Sequence, residues 1–261
     1  MIGVPCIRAQ AFMKPMSNAR TKPGLFTCCT KEDQYQEYVV KFHRQLESRI
    51  VCEFMAALLG HHLGLPVPPI AIVEIDPRFA IAIPDPQMRD LVAGDRGPHF
   101  GSLHRTGGYG VALFPVPIRL MPQVLDIFTF DMLIQNPDRR RVKPNLLFDG
   151  EQYVLFDHEL AFSFLADIGP SSLPWELRKL SLVKDHVIYG QLIHYAESHD
   201  LSFERFLSRL TTVSDSLLNE MVSAIPERWH GSAKTGKIVL HIAAIRDNIP
   251  RFERGLREAL A

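Results

Sequence analysis

The sequence is poor in the residues that build disulfide frameworks and zinc sites. It contains four cysteines, Cys6, Cys28, Cys29 and Cys52, of which two are adjacent and none forms a CxxC pair. Structural zinc sites and small disulfide-bonded domains need cysteines at repeated short spacings. The pattern therefore favours neither, and it predicts a reducing compartment such as the cytoplasm.

Net charge and long apolar runs are also lacking. Lysine plus arginine and aspartate plus glutamate both total 29, so no overall field favours nucleic acid or an anionic membrane. No stretch approaches the about 18 uninterrupted apolar residues of a membrane-spanning helix. Residues 1–15 lack the charged and apolar regions of a secretory signal. These absences predict a cytoplasmic protein with no membrane anchor and no strong nucleic-acid signal.

Several common catalytic motifs are missing as well. No GxSxG or HExxH occurs, so serine-hydrolase and zincin chemistry lack support. "GSAKTGK" at 231–237 has the glycine and lysine spacing of a P-loop, but the next residue is Ile238. The Ser/Thr hydroxyl that binds Mg²⁺ is therefore absent, and the stretch predicts the start of a helix.

What the sequence does contain divides into two styles. Residues 1–115 read as short extended segments around one helix, with strands at 38–42, near 70 and at 79–84 and a helix at 46–64. Residues 85–110 are rich in proline, glycine and histidine and read as a loop.

Residues 116–261 begin with an amphipathic helix at 121–135 and a strand at 153–157, and helical patterns dominate from 173 to the end. This order predicts an α+β fold of two lobes. A small antiparallel-sheet N-lobe (1–115) would be followed by a helical C-lobe (116–261), with a cleft between them.

Chemistry-bearing residues follow a recognisable order along this plan. Lys41 lies in a strand, and Glu53 lies in the helix after it. "NPDRRRVKPNLLF" at 136–148 then supplies Asp138 and Asn145, and Asp157 ends the next strand. Phosphoryl transfer from ATP needs a phosphate-binding lysine held by a glutamate, a hydroxyl-orienting aspartate, and an asparagine and aspartate for Mg²⁺. The order therefore predicts a kinase.

Each residue alone also has a structural interpretation. Glu53 could be an exposed helix residue, with Glu47 as a rival partner of Lys41. Asp138 and Asn145 could begin and end a turn, and Asp157 could cap the next segment. Residues 139–141, three consecutive arginines, predict a solvated patch that also faces phosphate or substrate. The joint order of the residues favours the catalytic interpretation.

The same segments resemble a known family. "FDMLIQNPDRR…NLLF", "YVLFDHELAFSF", "YVVKF" and "CEFMAALLGHHLGLPVPP" are similar to the catalytic segments, the lysine strand and the first helix of HipA-type kinases. These are bacterial Ser/Thr kinases first known from toxin–antitoxin pairs. The resemblance runs from about residue 12 to 165 and is strongest for short stand-alone HipA-like domains.

The resemblance implies a protein-kinase-like fold and a role for each matched residue. Lys41 would bind the ATP phosphates with Glu53 as its partner, Asp138 would be the catalytic base, and Asn145 and Asp157 would hold Mg²⁺. The position of the kinase DFG motif is filled by residues 157–159, Asp-His-Glu. The implied partners are ATP, a protein substrate and an antitoxin-like protein.

Two departures from the kinase pattern keep an alternative open. Asn145 follows Asp138 by seven residues, where the kinase pattern has five. No GxGxxG covers the phosphates, and "KPMSNARTKPG" at 14–24 would take its place with Ser17, Asn18 and Thr21 as donors. A pseudokinase, or a nucleotide-binding interaction protein that transfers no phosphate, is the alternative function.

Overall fold

The computed structural model describes residues 2–16, 21–30, 32–47, 49–104, 110–111, 115–166, 173–229 and 232–261. Within these residues, eight strands lie in two sheets: β1 Cys6–Pro15, β2 Gly24–Cys29, β3 Tyr35–Lys41, β4 Ile70–Glu74, β5 Pro98–Leu103, β6 Gly110–Val111, β7 Leu146–Phe148 and β8 Tyr153–Leu155. The mixed helix-and-strand composition confirms the α+β class in its coarse form.

The helices of the described residues are α1 His43–Leu46, α2 Arg49–His62, α3 Pro86–Gly94, α4 Met121–Leu133, α5 Ser181–Asp185, α6 Tyr189–Ala196, α7 Glu204–Leu210, α8 Asp215–Ser223, α9 Ser232–Arg246 and α10 Ile249–Ala259. Among these residues, none of the helices has both the length and the apolar character to cross a membrane.

The first five strands close into a barrel in the order β1-β2-β3-β5-β4. Four of the five pairings are antiparallel, but β1 and β4 pair in parallel, with Cys6 opposite Ile72. The expected purely antiparallel sheet is therefore wrong in this detail. The long connection through β2, β3 and α2 gives the chain the crossover that a parallel pair requires.

Two further predictions for the first half of the chain are wrong. Residues 77–82 form a 3₁₀ helix in place of a third strand, since Asp76 accepts from the backbone N–H of Arg78 and Pro77 fits the first helical position. Part of the predicted loop at 85–110 forms α3 and β5. β5 is the strand that joins β3 to β4 and so completes the barrel.

Helix α2 crosses from the barrel into the main hydrophobic core. Eleven consecutive residues, 50–60, are buried, and Glu53 is one of them. The helix ends where Gly64 adopts a φ of +67° and Leu65 N donates to the Gly60 carbonyl, which is the Schellman arrangement that favours glycine. One face of α2 thus faces the barrel strand that carries Lys41.

Helix α4 is a buried helix of the second half, and it leads into the loop that carries Asp138. Its residues 124–133 are all buried, including the polar Asp126, Thr129 and Asp131. The next turn brings Gln135 to a φ of 44°, and Asn136 N donates back to the Asp131 carbonyl. Residues 136–145 then form a loop that leads into β7. The small sheet β6-β7-β8 follows, with both pairings antiparallel.

Candidate active site

Lys41 is a buried cation at the end of β3. Its Nζ lies 2.8 Å from Oε2 of Glu53, 2.7 Å from Oδ1 of Asp157 and 3.5 Å from Oε2 of Glu159. Glu53, which the helix α2 presents, is therefore the partner of Lys41. Glu47 is exposed at the end of α1 and makes no contact with Lys41.

The surroundings keep this lysine charged. Burial disfavours the ammonium form, but the three carboxylates of Glu53, Asp157 and Glu159 outweigh it and raise the pKa of Lys41 above its ordinary value. Asp157 is likewise kept charged by its neighbours. Burial opposes its ionisation, yet Lys41 and Lys143 hold the pKa of this carboxyl below its ordinary value. Lys41 and Asp157 thus form an ionised pair.

Three acidic side chains converge around that lysine. One oxygen each from Glu53, Asp157 and Glu159 lies within 4.8 Å of the others. Burial raises the pKa of Glu53 although Lys41 opposes the effect. Thr21 Oγ1 donates to Glu159 Oε2 at 3.0 Å, so the strand-entry residue Thr21 touches the same cluster. Ser17 and Asn18, the other expected phosphate-loop donors, lie outside the described residues.

Asp138 is buried and accepts several hydrogen bonds from its own loop. Arg140 Nη2 donates to Oδ1 at 3.1 Å, and Lys143 Nζ donates to Oδ2 at 2.7 Å. Asn145 Nδ2 donates to Oδ2 at 3.1 Å. The seven-residue spacing therefore still brings Asn145 into contact with Asp138, because the intervening chain folds back between Arg140 and Lys143.

Lys143 connects the two aspartates. Its Nζ also donates to Asp157 Oδ2 at 2.9 Å, so a single ammonium contacts both Asp138 and Asp157. Sequence reasoning did not single out Lys143. The available signal was its place two residues before Asn145 and next to a proline, in the loop that the sequence predicts to be catalytic.

Arg139 departs from the predicted solvated arginine patch. It is 1% exposed, whereas Arg140 and Arg141 are exposed as expected. Its Nε donates to Asp131 Oδ2, and its Nη1 donates to the Asn145 carbonyl at 2.6 Å. One buried guanidinium therefore ties α4 to the strand end at Asn145. The conformation of the loop at 136–145 is therefore held by a buried side chain of the loop itself.

Two histidines complete this buried support. Arg139 Nη2 donates to His158 Nε2 at 3.1 Å, and burial together with Arg139 lowers the pKa of His158 to about 3. His158 is thus neutral. His186 Nε2 donates to Asp131 Oδ2 at 3.0 Å and its Nδ1 accepts from the Ile188 N–H, which fixes a neutral tautomer. The resemblance placed His158 in the DFG position without assigning it a role, and His186 was not singled out from the sequence.

The backbone itself is constrained at the same place. Asn145 and Asp157 have φ angles of 48° and 60°, and Phe162 has 58°. Left-handed backbone is uncommon for residues other than glycine, although Asn and Asp tolerate it best. Such conformations concentrate at functional sites. Asn145 accepts a buried hydrogen bond from Arg139 through its carbonyl, and Asp157 accepts a partly buried one from Lys143, which helps to hold both residues in these conformations.

An open cavity of about 680 Å³ adjoins the cluster. The cavity is lined by Thr21, Pro137 and Glu159, and Arg49 and Lys234 supply positive charge to its wall. The volume lies within the about 300–1,000 Å³ of ordinary ligand sites. The cavity reaches the loop of Asp138 at Pro137, the residue before it, and the acidic cluster at Glu159.

Comparisons with known proteins give the family and the fold of the chain. A family model described as HipA-like kinase matches residues 10–255. The chain is also similar to the crystal structure of a Helicobacter pylori proinflammatory kinase, CtkA, with a TM-score of 0.55 and 13% identity over 97% of this chain and 99% of that one. At this identity the similarity shows the fold alone. No curated protein matches the sequence.

Proposed function

The chain belongs to the HipA-like kinase family, and from this premise we propose that it is an ATP- and Mg²⁺-dependent phosphotransferase acting on a protein serine or threonine hydroxyl. One observation carries the proposal. Lys41 bonds both Glu53 and Asp157, and Lys143 links Asp157 to Asp138. A continuous set of contacts thus joins the residues that phosphoryl transfer requires.

Lys41 is proposed to hold the ATP phosphates. Its raised pKa keeps the ammonium charged, and Glu53 fixes its direction at 2.8 Å. The 2.7 Å contact with Asp157 would be exchanged in part for phosphate oxygens when ATP binds. Thr21, with Ser17 and Asn18, is proposed to cover the phosphates, and the Thr21 hydroxyl already lies 3.0 Å from Glu159.

Asn145 and Asp157 are proposed to hold Mg²⁺. Their amide and carboxylate oxygens are the hard ligands that Mg²⁺ prefers, so the donor chemistry fits. Charge fits as well, since the three carboxylates of Glu53, Asp157 and Glu159 outnumber the two lysines in contact with them, Lys41 and Lys143. When bound, the metal supplies neutralisation of phosphate charge. The low pKa of Asp157 means that its carboxylate is ionised without the metal.

Asp138 is proposed to orient the acceptor hydroxyl and to take its proton. A carboxylate offers about four acceptor positions, and Arg140, Lys143 and Asn145 occupy three. One position therefore remains for a substrate hydroxyl. The ammonium of Lys143 stands beside it, where it can stabilise negative charge on the group being transferred.

The proposed lobes assign residues 1–115 to an N-lobe and 116–261 to a C-lobe, with the cleft at the Lys41–Asp157 contact. The barrel lies wholly within the first range. β6, at 110–111, falls in the first range but pairs with β7 of the second, so the two ranges share this small sheet. From the family we further propose a cytoplasmic location, a protein acceptor and an antitoxin-like partner.

Transfer of label from γ-labelled ATP tests the proposal. Asp138→Asn keeps the size of the side chain but removes the carboxylate, so transfer to the protein itself or to generic acceptor proteins should fall by roughly two orders of magnitude. Binding of Mg·ATP, measured by thermal shift, should stay nearly unchanged. Equal transfer by the wild type and the variant would refute the role of Asp138. If the wild type binds Mg·ATP but transfers no label to itself or to any acceptor protein, the pseudokinase alternative would be favoured.

A further inference from the structure

A second cavity, of about 400 Å³, lies between the turn at 173–179 and helix α10. Arg178 and Lys179 line it from the turn, and Arg251 and Arg254 line it from the helix. None of these residues contacts the Lys41–Asp138 cluster, so the cavity needs a separate explanation. It is a concave surface enriched in guanidinium groups.

The positive charge of this cavity is only partly balanced. Lys179 pairs with Glu176 at 2.7 Å. Arg178 and Arg254 form neither an ion pair nor a hydrogen bond with any residue that the structure describes. Glu258 is the second acidic residue of the lining. Four cations therefore face two carboxylates, in a chain whose net charge is zero.

The cavity is also closely packed at Gly255 and partly apolar. A Cβ at Gly255 would lie 2.1 Å from the carbonyl oxygen of Trp175, so the turn packs directly on the helix where only glycine fits. Arg251 lies over the Trp175 ring at 5.3 Å from its centroid. Leu173, at the edge of the cavity, is 52% exposed.

We propose that this cavity binds an acidic peptide segment of a protein partner or substrate. Guanidinium groups with no intramolecular partner suit bidentate recognition of carboxylates. Leu173 and the Trp175 ring offer contacts to an apolar side chain between the acidic residues. The site would recruit a protein independently of ATP.

Charge distribution favours a peptide over nucleic acid. A nucleic-acid strand carries a phosphate at every nucleotide, and it would meet Glu176 and Glu258 as well as the cations. The cavity has a net excess of two positive charges, which a short acidic peptide segment could neutralise. The carboxylates of such a segment can be spaced so that they avoid Glu176 and Glu258. The neutral chain as a whole also lacks the field that attracts nucleic acid.

Fluorescence anisotropy with a labelled short poly-L-glutamate peptide tests the proposal in the absence of ATP. The wild type should bind the peptide at low ionic strength, and Arg178→Ala/Arg254→Ala should weaken binding by about tenfold or more. Arg257→Ala is the matched control, because Arg257 lies on the same helix but pairs with Glu253 at 2.7 Å outside the cavity. It should bind the peptide nearly as well as the wild type. Thermal melts would establish that all three proteins are folded.

Three results would overturn the proposal. The first is no binding of poly-L-glutamate by the wild type. The second is equal weakening by the double variant and the Arg257 control, which would indicate a diffuse charge effect. The third is tighter binding of a single-stranded oligonucleotide that Arg178→Ala/Arg254→Ala also abolishes, which would assign the cavity to nucleic acid. Because no ATP is present, failure here leaves the proposed phosphoryl transfer unaffected.

Discussion

The side-chain amide of Asn145 donates to the carboxylate of Asp138 across 3.1 Å and to its backbone carbonyl across 3.3 Å. The chain between them folds back at Arg140 and Lys143, and Arg139 inside the loop donates to the Asn145 carbonyl. The two residues are thus held together although seven positions separate them. The two additional residues of this loop are accommodated by outward bending, with Val142 at its exposed tip.

Asn145→Ala should lower phosphoryl transfer by about ten- to hundredfold, because it removes a proposed metal ligand and the amide that orients Asp138. Raising the Mg²⁺ concentration should restore part of the rate. Val142→Ala is the control within the same loop, since Val142 is 88% exposed. Equal activity of Asn145→Ala and Val142→Ala would contradict the assignment of Asn145.

Lys41→Met should abolish the rise in melting temperature that Mg·ATP produces in the wild type. It should also lower the free energy of unfolding of the ligand-free protein by about 3–5 kcal/mol, because Glu53 and Asp157 lose their buried cation. Lys14→Met, on an exposed position of β1, serves as control. A preserved ATP-dependent shift in Lys41→Met would show that ATP binds elsewhere.

Lys143→Met should lower transfer by roughly two to three orders of magnitude while Mg·ATP still binds. The expected cause is the loss of the ammonium that contacts both Asp138 and Asp157. Single-turnover measurements separate the chemical step from binding. Arg141→Met changes an exposed neighbouring cation and should transfer nearly normally. If both variants lose the same activity, general loop charge is responsible.

Acid should destabilise the protein from about pH 6.5 downward because of its buried histidines. Burial lowers the pKa of His241 to about 4 and that of His158 to about 3. An unfolded histidine, with a pKa near 6.5, binds a proton that the folded one excludes, so the unfolding free energy falls as pH decreases. The loss approaches about 1.4 kcal/mol per pH unit for each such histidine.

His241→Gln tests this pH dependence. The variant keeps a donor for the Leu133 carbonyl, which His241 Nε2 reaches at 2.8 Å, but it does not titrate. Urea unfolding at about pH 7.5 and about pH 5 should show a smaller loss for the variant than for the wild type. A pH dependence identical in both proteins would mean that His241 does not contribute.

Local sequence patterns predicted the strands and helices whose apolar periodicity is visible within a short stretch of the sequence. The β-branched run before Lys41 and the apolar periodicity of α2 and α4 correspond to strand and helices in the structure. β5 was missed because its sequence, "PHFGSL", has proline and glycine at positions that usually mark loops. Its strand conformation depends on neighbours on both sides, β3 and β4, which no local window contains.

In the candidate site, too, local sequence could not predict features that depend on residues distant in the chain. The order of Lys41, Glu53, Asp138, Asn145 and Asp157 could be read from the sequence, and these residues do converge. Arg139 could not be distinguished from Arg140 and Arg141, since all three are adjacent and identical in type. What separates them is Asp131, which lies a turn before the loop on α4 and whose buried carboxylate accepts from Arg139. Burial of charge is decided by tertiary partners.

Closure of the barrel through β1 and β4 has a consequence for folding kinetics. Cys6 must meet Ile72, so the last pairing joins positions that are far apart along the chain, whereas β1-β2 and β2-β3 are sequential hairpins. High contact order slows folding because loop-closure entropy is lost before the contact forms. We expect the hairpins to form first and the β1–β4 seam to close late. Deleting the first strand would then leave β2 and β4 as open edges, with aggregation as the outcome.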